Sequence, residues 1–336
     1  MWDNILGHQQ QKRFLEQYLH SEERPHALLF CGAEGLGKKQ LALAFAKSLL
    51  CLSHTGTDHC EACRLFNLKD GNLSHPDFLL VQRERDEKTG RLKDISKEQI
   101  AELISKTAFA PVMSPTKVCV IEDFDRISLV AANSFLKLLE EPPVGWVLLL
   151  VASDESKLLT TILSRVVCLR FQTVPLGEVS ELLRARGIAP AEAEVLARIG
   201  ECSPGLALKL AEERVLELRQ QAKAFLEALP LKTPLNYLAG RVWQQKDFER
   251  PQALRFVQLL QLLARDLLMY RVRLPETVYN SDLTAWLEEQ TGSWSIVGLK
   301  RALTVLQETY AALESSVGVR LSLEAMALKI DEAYKE

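Results

Sequence analysis

No stretch of this 336-residue chain approaches the roughly 18 consecutive apolar residues that a membrane-spanning helix needs. The N-terminus, Met1-Trp2-Asp3-Asn4, lacks the basic, apolar, small-residue progression of a secretory signal, so a cytoplasmic protein with no membrane partner is expected. Charge of one sign is also missing. With 41 Lys and Arg against 44 Asp and Glu, the formal net charge is -3, and any contact with nucleic acid must come from a local patch or a partner. Seven cysteines, an odd number in a long chain without a signal-like start, argue against a disulfide framework. Low-complexity tracts and internal repeats are absent, which removes linker-like and solenoid architectures. What remains is ordinary globular composition, 47% apolar and 25% charged, in a chain long enough for two or three domains.

Five short apolar runs punctuate the first half: Ala27 to Cys31, Phe78 to Val81, Val118 to Ile121, Val147 to Ala152 and Val166 to Phe171. Each is too short for a typical helix and reads as a strand buried on both faces. Helical spacing fills the gaps. Leu41, Phe45 and Leu49 follow the first run, Ser96 with Gln99 forms a capping-box pattern ahead of Ile100, and a helix from about Ser128 to Glu141 is stopped by Pro142-Pro143. Beyond Phe171 the strand signal fades. Leu176 to Ala185, Ala191 to Gly200 and Pro204 to Glu212 carry the periodicity of three short helices. Longer helices follow from about Val215, including Pro251 to Val272 and Leu299 to Glu314. The expected fold is an α/β P-loop domain with a parallel sheet, then a small helical lid, then an all-α C-terminal domain.

Between the first strand and its helix lies Gly32-Ala33-Glu34-Gly35-Leu36-Gly37-Lys38-Lys39. This is G-x-x-x-x-G-K-[ST] up to its last position, where the hydroxyl that should hold Mg²⁺ is replaced by the ammonium of Lys39. Gly32, Gly35, Gly37 and Lys38 keep the shape of an ATP/ADP site, and Lys39 damages its chemistry. The partner motif is an apolar strand ending in acids, supplied by Val118 to Ile121 with Glu122-Asp123. In an active ATPase of this kind the usual order is Asp-Glu. Reversal moves both carboxylates by more than about 1 Å, a displacement of the size that costs ~10²-fold in rate. The alternative is that these acids only solvate a strand end.

Four further segments belong with the phosphate loop: Trp2 to Gln9, Pro25 to Phe30, Ala132-Asn133-Ser134-Phe135-Leu136-Lys137-Leu138-Leu139-Glu140-Glu141-Pro142-Pro143, and Thr161-Ile162-Leu163-Ser164-Arg165. Together they resemble bacterial clamp-loader subunits of the AAA+ family, and among these the delta-prime subunits of DNA polymerase III. The resemblance covers about residues 1 to 212; the helical remainder is similar only in character. It implies a RecA-like AAA+ domain over 1–172, a helical lid over 173–212 and an oligomerisation collar over 213–336. Ser164-Arg165 matches the first two residues of the family's Ser-Arg-Cys motif, whose Arg enters the ATP site of the adjacent subunit; Val166 stands third. Such an arginine is worth roughly 10³ to 10⁵ in rate. Active members also carry a lid Arg in a Gly-Ser-x-Arg-like segment. Here that segment is Cys202-Ser203-Pro204-Gly205-Leu206, with Gly205 at the Arg position.

The family's zinc module reads C-x₈-C-x₂-C-x₂-C, implying one at 51–66. Cys51, Cys60 and Cys63 are in register, and Phe66 takes the fourth position. Three thiolates leave one tetrahedral vertex open. Either His59, His54 or His75 completes a Cys₃His site, or the module has lost its zinc and Phe66 packs where a ligand was. Cys31, Cys119, Cys168 and Cys202 read as core residues. Arg83, Arg85, Lys88, Arg91, Lys93 and Lys97 alternate with Glu84, Asp86, Glu87 and Asp94 and read as a solvated loop. The leucine-rich helix around Leu259 to Leu268, interrupted by Arg265 and Asp266, is buried in its own domain or belongs to a collar.

The resemblance thus implies a subunit that helps load a sliding clamp onto primed DNA with the motor (tau/gamma) and delta subunits. It implies a part of the polymerase holoenzyme with no polymerase site of its own and weak or absent ATPase. The rival expectation, kept open by Lys38, Glu122 and Asp123, is an active ATPase of the tau/gamma type.

Overall fold

The computed structural model describes residues 2, 5–52, 60–67, 72–86, 90, 92–231, 249–315 and 317–335. The chain divides into two compact units, Met1–Val179 with Cys202–Leu206, and Ser180–Glu201 with Ala207–Glu336.

In the first unit the strands β1 (Ala27–Cys31), β4 (Phe78–Val81), β5 (Lys117–Ile121), β6 (Trp146–Ala152) and β7 (Val167–Arg170) form one sheet in the order β4-β5-β6-β1-β7. Every pairing in it is parallel. Two further short strands, β2 (Phe66–Asn67) and β3 (Asn72–Leu73), pair antiparallel beside it in sequence. The five predicted runs are therefore the five parallel strands, with no end shifted by more than one residue. Side chains alternate between two cores because successive residues of a strand point to opposite faces. Leu28 and Phe30 of β1 join a core with Val118, Val120 and Leu149, whereas Ala27, Leu29 and Cys31 join another with Cys119, Ile121 and Leu148. Helices α1 (Gln9–His20) and α2 (Lys38–Leu50) cover the first face through Leu15, Leu41, Phe45 and Leu49. Helices α4 (Lys97–Lys106), α5 (Leu129–Glu140) and α6 (Thr160–Leu163) cover the second through Ile100, Leu103, Phe135, Leu138 and Ile162. The short α3 (Glu61–Leu65) precedes β2.

Local signals set the helix ends. The Ser96–Gln99 capping box is present: the Gln99 N–H donates to Ser96 Oγ at 3.3 Å and the Ser96 N–H to Gln99 Oε1 at 3.0 Å. Ser128 caps α5, which ends at Glu140 just ahead of the two prolines.

Helices α7 (Leu176–Ala185), α8 (Pro190–Ile199) and α9 (Pro204–Glu212) occupy the three predicted short segments. Further described α-helices of the second unit are α10 (Val215–Glu227), α11 (Arg250–Arg271), α12 (Thr284–Thr291), α13 (Ile296–Glu314) and α14 (Val319–Tyr334). Its core is the apolar face of α11, with Leu259, Leu260, Leu263 and Leu267 buried. Asp266 does not interrupt that face as a solvated residue. It is fully buried and accepts from the Tyr279 and Asn280 N–H groups and from Asn280 Nδ2, so its charge is compensated. Arg219 is likewise buried and forks onto Asp282 at 2.6 and 2.8 Å. No described helix is long and apolar enough to cross a membrane.

Candidate functional site

In an open parallel sheet ligands bind beyond the carboxyl ends of the strands, and the phosphate loop leaves β1 there. Gly37, at φ 83, starts α2 from a left-handed conformation. Lys38 does not reach outward: its Nζ donates to the Gly32 and Ala33 carbonyls, both at 2.6 Å. Burial lowers the Lys38 pKa, while nearby acidic groups, Asp125 and Asp123 among them, oppose that shift. Lys39 Nζ lies 2.8 Å from Glu122 Oε1, a charge pairing without aligned hydrogen-bond geometry. The other Glu122 oxygen accepts from Gln82 Nε2 at 3.1 Å. A side-chain cation thus pairs with the acid at the strand end. Asp123, left-handed at φ 48, lies 3.9 Å from the Arg83 guanidinium.

The turn at 202–206 sits on the same loop. Ser203 Oγ donates to the Glu34 carbonyl and the Gly205 N–H to the Gly35 carbonyl, each at 2.8 Å. The contact needs glycine on both sides. A Cβ on Gly35, whose φ is +77, would lie 2.5 Å from Ser203 Oγ and 2.6 Å from Leu206 N, and one on Gly205 would lie 2.8 Å from Gly35 O. Beside the loop, His8 Nε2 bonds the Leu36 carbonyl at 2.9 Å and its ring packs on Phe171. A cavity of about 490 Å³ opens next to it, lined by residues that include Gly7, Gln11, Arg170 and Val174.

Arg165 stands apart from this pocket. Its Nη2 donates to Glu140 Oε1 at 2.9 Å and its Nη1 to the Thr161 carbonyl at 2.9 Å and to Ser164 Oγ at 3.3 Å. The side chain is 36% exposed. Nε–H and one Nη2 N–H have no partner among the described residues, so the guanidinium is held in one plane with donors left over.

The sulfurs of Cys51, Cys60 and Cys63 lie within 4.8 Å of one another. Cys51 and Cys60 are 3.7 Å apart, close to the edge of about 3.8 Å that a tetrahedron with Zn–S bonds of ~2.3 Å would have. These residues therefore fit three vertices of a zinc site. Phe66 is fully buried and meets Phe78 edge-to-face at 4.6 Å, so the fourth motif position is core.

Residues 7–175, half of the chain, match the family described as DNA polymerase III, delta subunit. The chain belongs to that family. It is 27% identical over 323 residues to DNA polymerase III subunit delta' of Bacillus subtilis, with 95% of each chain covered. The same subunit of Pseudomonas aeruginosa is 34% identical over 204 residues, covering 59% of this chain and 60% of that one. DNA polymerase III subunit tau of Bacillus subtilis is 30% identical over 174 residues, 51% of this chain and 28% of that one.

Within this delta-family chain the structure brings Gly32, Gly35, Gly37, Lys38, Lys39 and Glu122 together and leaves Asp123 turned to Arg83. Several expectations change. His75 is withdrawn as a zinc ligand because both ring nitrogens are engaged. Nδ1 accepts from the Asp77 N–H at 3.0 Å, and Nε2 meets Ser114 Oγ at 3.2 Å. The Ser114 hydroxyl donates to the Leu50 carbonyl, so Nε2 must carry the imidazole proton. His54 and His59 lie outside the described residues, as do Lys88 and Arg91. Arg83 is not a solvated loop residue, since it donates to the Lys93 and Leu92 carbonyls. Cys168 and Cys202 are only partly buried. Glu140 as partner of Arg165, Gln82 as partner of Glu122 and Ser203 as partner of the loop were not identified. Glu140 lies in the Leu-Glu-Glu-Pro-Pro helix end and Ser203 in the Gly-Ser-x-Arg-like segment, but neither motif names the partner; Gln82 had no sequence signal.

The His75 cluster predicts acid sensitivity. Burial lowers the His75 pKa below 6.5, so the unfolded chain binds the extra proton first and stability falls as pH drops below about 6.5. Burial pushes the neighbouring Asp77 carboxyl up, but backbone N–H bonds from Val112, Ser114 and Met113 bring it below its ordinary value, adding a loss at lower pH with the same sign. Melting temperatures between pH 7.5 and 5 should fall for the wild type, and less steeply above pH 5 for His75→Gln.

Proposed function

We propose that this chain is a delta-prime-type subunit of the DNA polymerase III clamp loader that lends Arg165, positioned with Ser164, to the ATP site of an adjacent motor (tau/gamma) subunit. Its own phosphate loop is catalytically silent. Through the assembled complex, with the delta subunit, it helps place a sliding clamp on primed DNA. In this reading residues 1–172 are the AAA+ domain, 173–212 the lid and 213–336 the collar, and the protein works in the cytoplasm. Zinc, where bound by Cys51, Cys60 and Cys63, supplies a cross-link between the end of α2 and α3 and no reaction step.

The observation that carries the silent half of this reading is the Lys39–Glu122 pair at 2.8 Å. Metal-assisted phosphoryl transfer needs a hydroxyl and a free acid around Mg²⁺, and here a cation neutralises the acid. Lys38 folded onto the loop carbonyls and the 203–205 turn seated on the loop act in the same direction. For the arginine the support is geometric: an exposed guanidinium, braced from behind, with donors to spare.

The rival reading, an active ATPase, draws on Lys38 and on the identity to tau. Turnover of ATP with Mg²⁺ by the purified chain separates them. We expect a rate indistinguishable from that of Lys38→Ala; brisk turnover that Lys38→Ala abolishes would establish the rival.

A further inference from the structure

Among the described cysteines, three thiols are kept out of chemistry by their surroundings. Burial pushes Cys119 up to about 12 and Cys31 upward, and burial followed by a hydrogen bond to Glu155 takes Cys168 to about 11, so these stay protonated near neutrality. Cys51, Cys60 and Cys63 are placed differently. Their sulfurs converge, the Cys63 N–H donates to Cys60 Sγ at 3.4 Å, and Cys60 is the one of the three that is partly exposed, with Cys51 buried 3.7 Å behind it. A partly exposed cysteine with a second sulfur at van der Waals distance is the arrangement of an attacking and a resolving cysteine.

We propose that this cluster is a peroxide-sensitive thiol switch, in which Cys60 is oxidised first and Cys51 resolves it to a Cys51–Cys60 disulfide. The co-reactant is a hydroperoxide. The Cys60 thiol attacks its outer oxygen, the O–O bond breaks, and the products are a Cys60 sulfenic acid and an alcohol, or water from hydrogen peroxide. The Cys51 thiol then attacks the Cys60 sulfur, an S–S bond forms, the S–O bond breaks and water leaves with the Cys51 proton. Two thiols are oxidised by two electrons and one peroxide is reduced. A metal held by all three sulfurs loses two ligands in the process, which makes zinc release a second readout. Phe66 at the fourth motif position favours this outcome, since a set without that sulfur is less closed than a Cys₄ site.

The sequence makes the test direct. Lys47 and Arg64 bracket one tryptic peptide that carries all three cysteines, while Asp58 and Glu61 allow cleavage on either side of Cys60. The full-length protein, reduced and metal-free or loaded with zinc, is treated with equimolar hydrogen peroxide, alkylated and mapped by mass spectrometry. We expect the 48–64 peptide two hydrogens lighter with Cys63 alkylated, and formation at least about tenfold faster than oxidation of Cys168 or Cys202. Zinc should be released in step from the loaded form. In Cys51→Ser we expect a sulfenic acid on Cys60 that dimedone traps. Oxidation of Cys202 or Cys168 ahead of the cluster, or a Cys51→Ser protein with no adduct at Cys60, overturns the proposal. Circular dichroism of the variant confirms that it is folded.

Discussion

Arg165→Ala is expected to lower DNA- and clamp-stimulated ATP hydrolysis by about 10³-fold in a loader reconstituted with the motor subunit, with assembly intact. Two features set that size. In the proposed role the developing charge on a transferring phosphoryl group would be met by a planar fork whose Nε–H and second Nη2 N–H have no partner among the described residues. The local cost of the change is small, because the ion pair to Glu140 is exposed on both sides, at 36% and 51%, and such pairs contribute about 0–1 kcal/mol. Catalysis and folding are thereby separable. Arg165→Lys should recover little, since an ammonium cannot present two parallel N–H groups. Single-turnover hydrolysis in a reconstituted loader, beside gel filtration of the same complex, measures both quantities. A rate unchanged in Arg165→Ala removes the finger assignment; loss of assembly would move Arg165 to a structural role.

How far the sequence foretold this differs by element. Strands buried on both faces announce themselves as continuous apolar runs, and for that reason β1, β4, β5, β6 and β7 were all legible. The capping box at Ser96 was legible and the helix start at Ser128 was placed, whereas Ser295, whose side chain caps α13, was missed because that helix was read from Leu299. What escaped were contacts between residues far apart in the chain. Nothing in the 203–205 segment says that Ser203 bonds a carbonyl 169 positions away, and a Gly in place of a lid Arg reads as mere absence. Asp266 escaped for a related reason: in the sequence it only interrupts a leucine-rich helix, and nothing near it says that Asn280, 14 positions on, covers it. The motif residues of the phosphate loop were readable one by one, but their pairing was not. Lys39 was legible as a lost hydroxyl; that its ammonium meets Glu122 is a fact of the fold.

That pairing and the glycine contact lead to a prediction that separates two causes of silence. Restoring the hydroxyl with Lys39→Thr should leave nucleotide binding essentially unchanged, because the 203–205 turn still sits on the loop through two hydrogen bonds. Gly205→Ala should act oppositely. Gly205 has no left-handed backbone requirement and begins a helix, where alanine is favoured, so the change introduces no backbone strain. Its Cβ meets the Gly35 carbonyl at 2.8 Å and Gly35 Cα at 3.1 Å, and neither backbone atom can step aside as a flexible side chain would. The turn must lift. Two hydrogen bonds of about 0.5–1.5 kcal/mol each are then removed from the closed state. A ligand that needs the loop open gains about 1–3 kcal/mol, or roughly 5- to 150-fold in affinity. Titration with a fluorescent ATP analogue should show that gain in Gly205→Ala and its loss again when Lys38→Ala is added. Equal affinity in wild type and a folded Gly205→Ala protein would mean that the turn is not what keeps the phosphate loop shut.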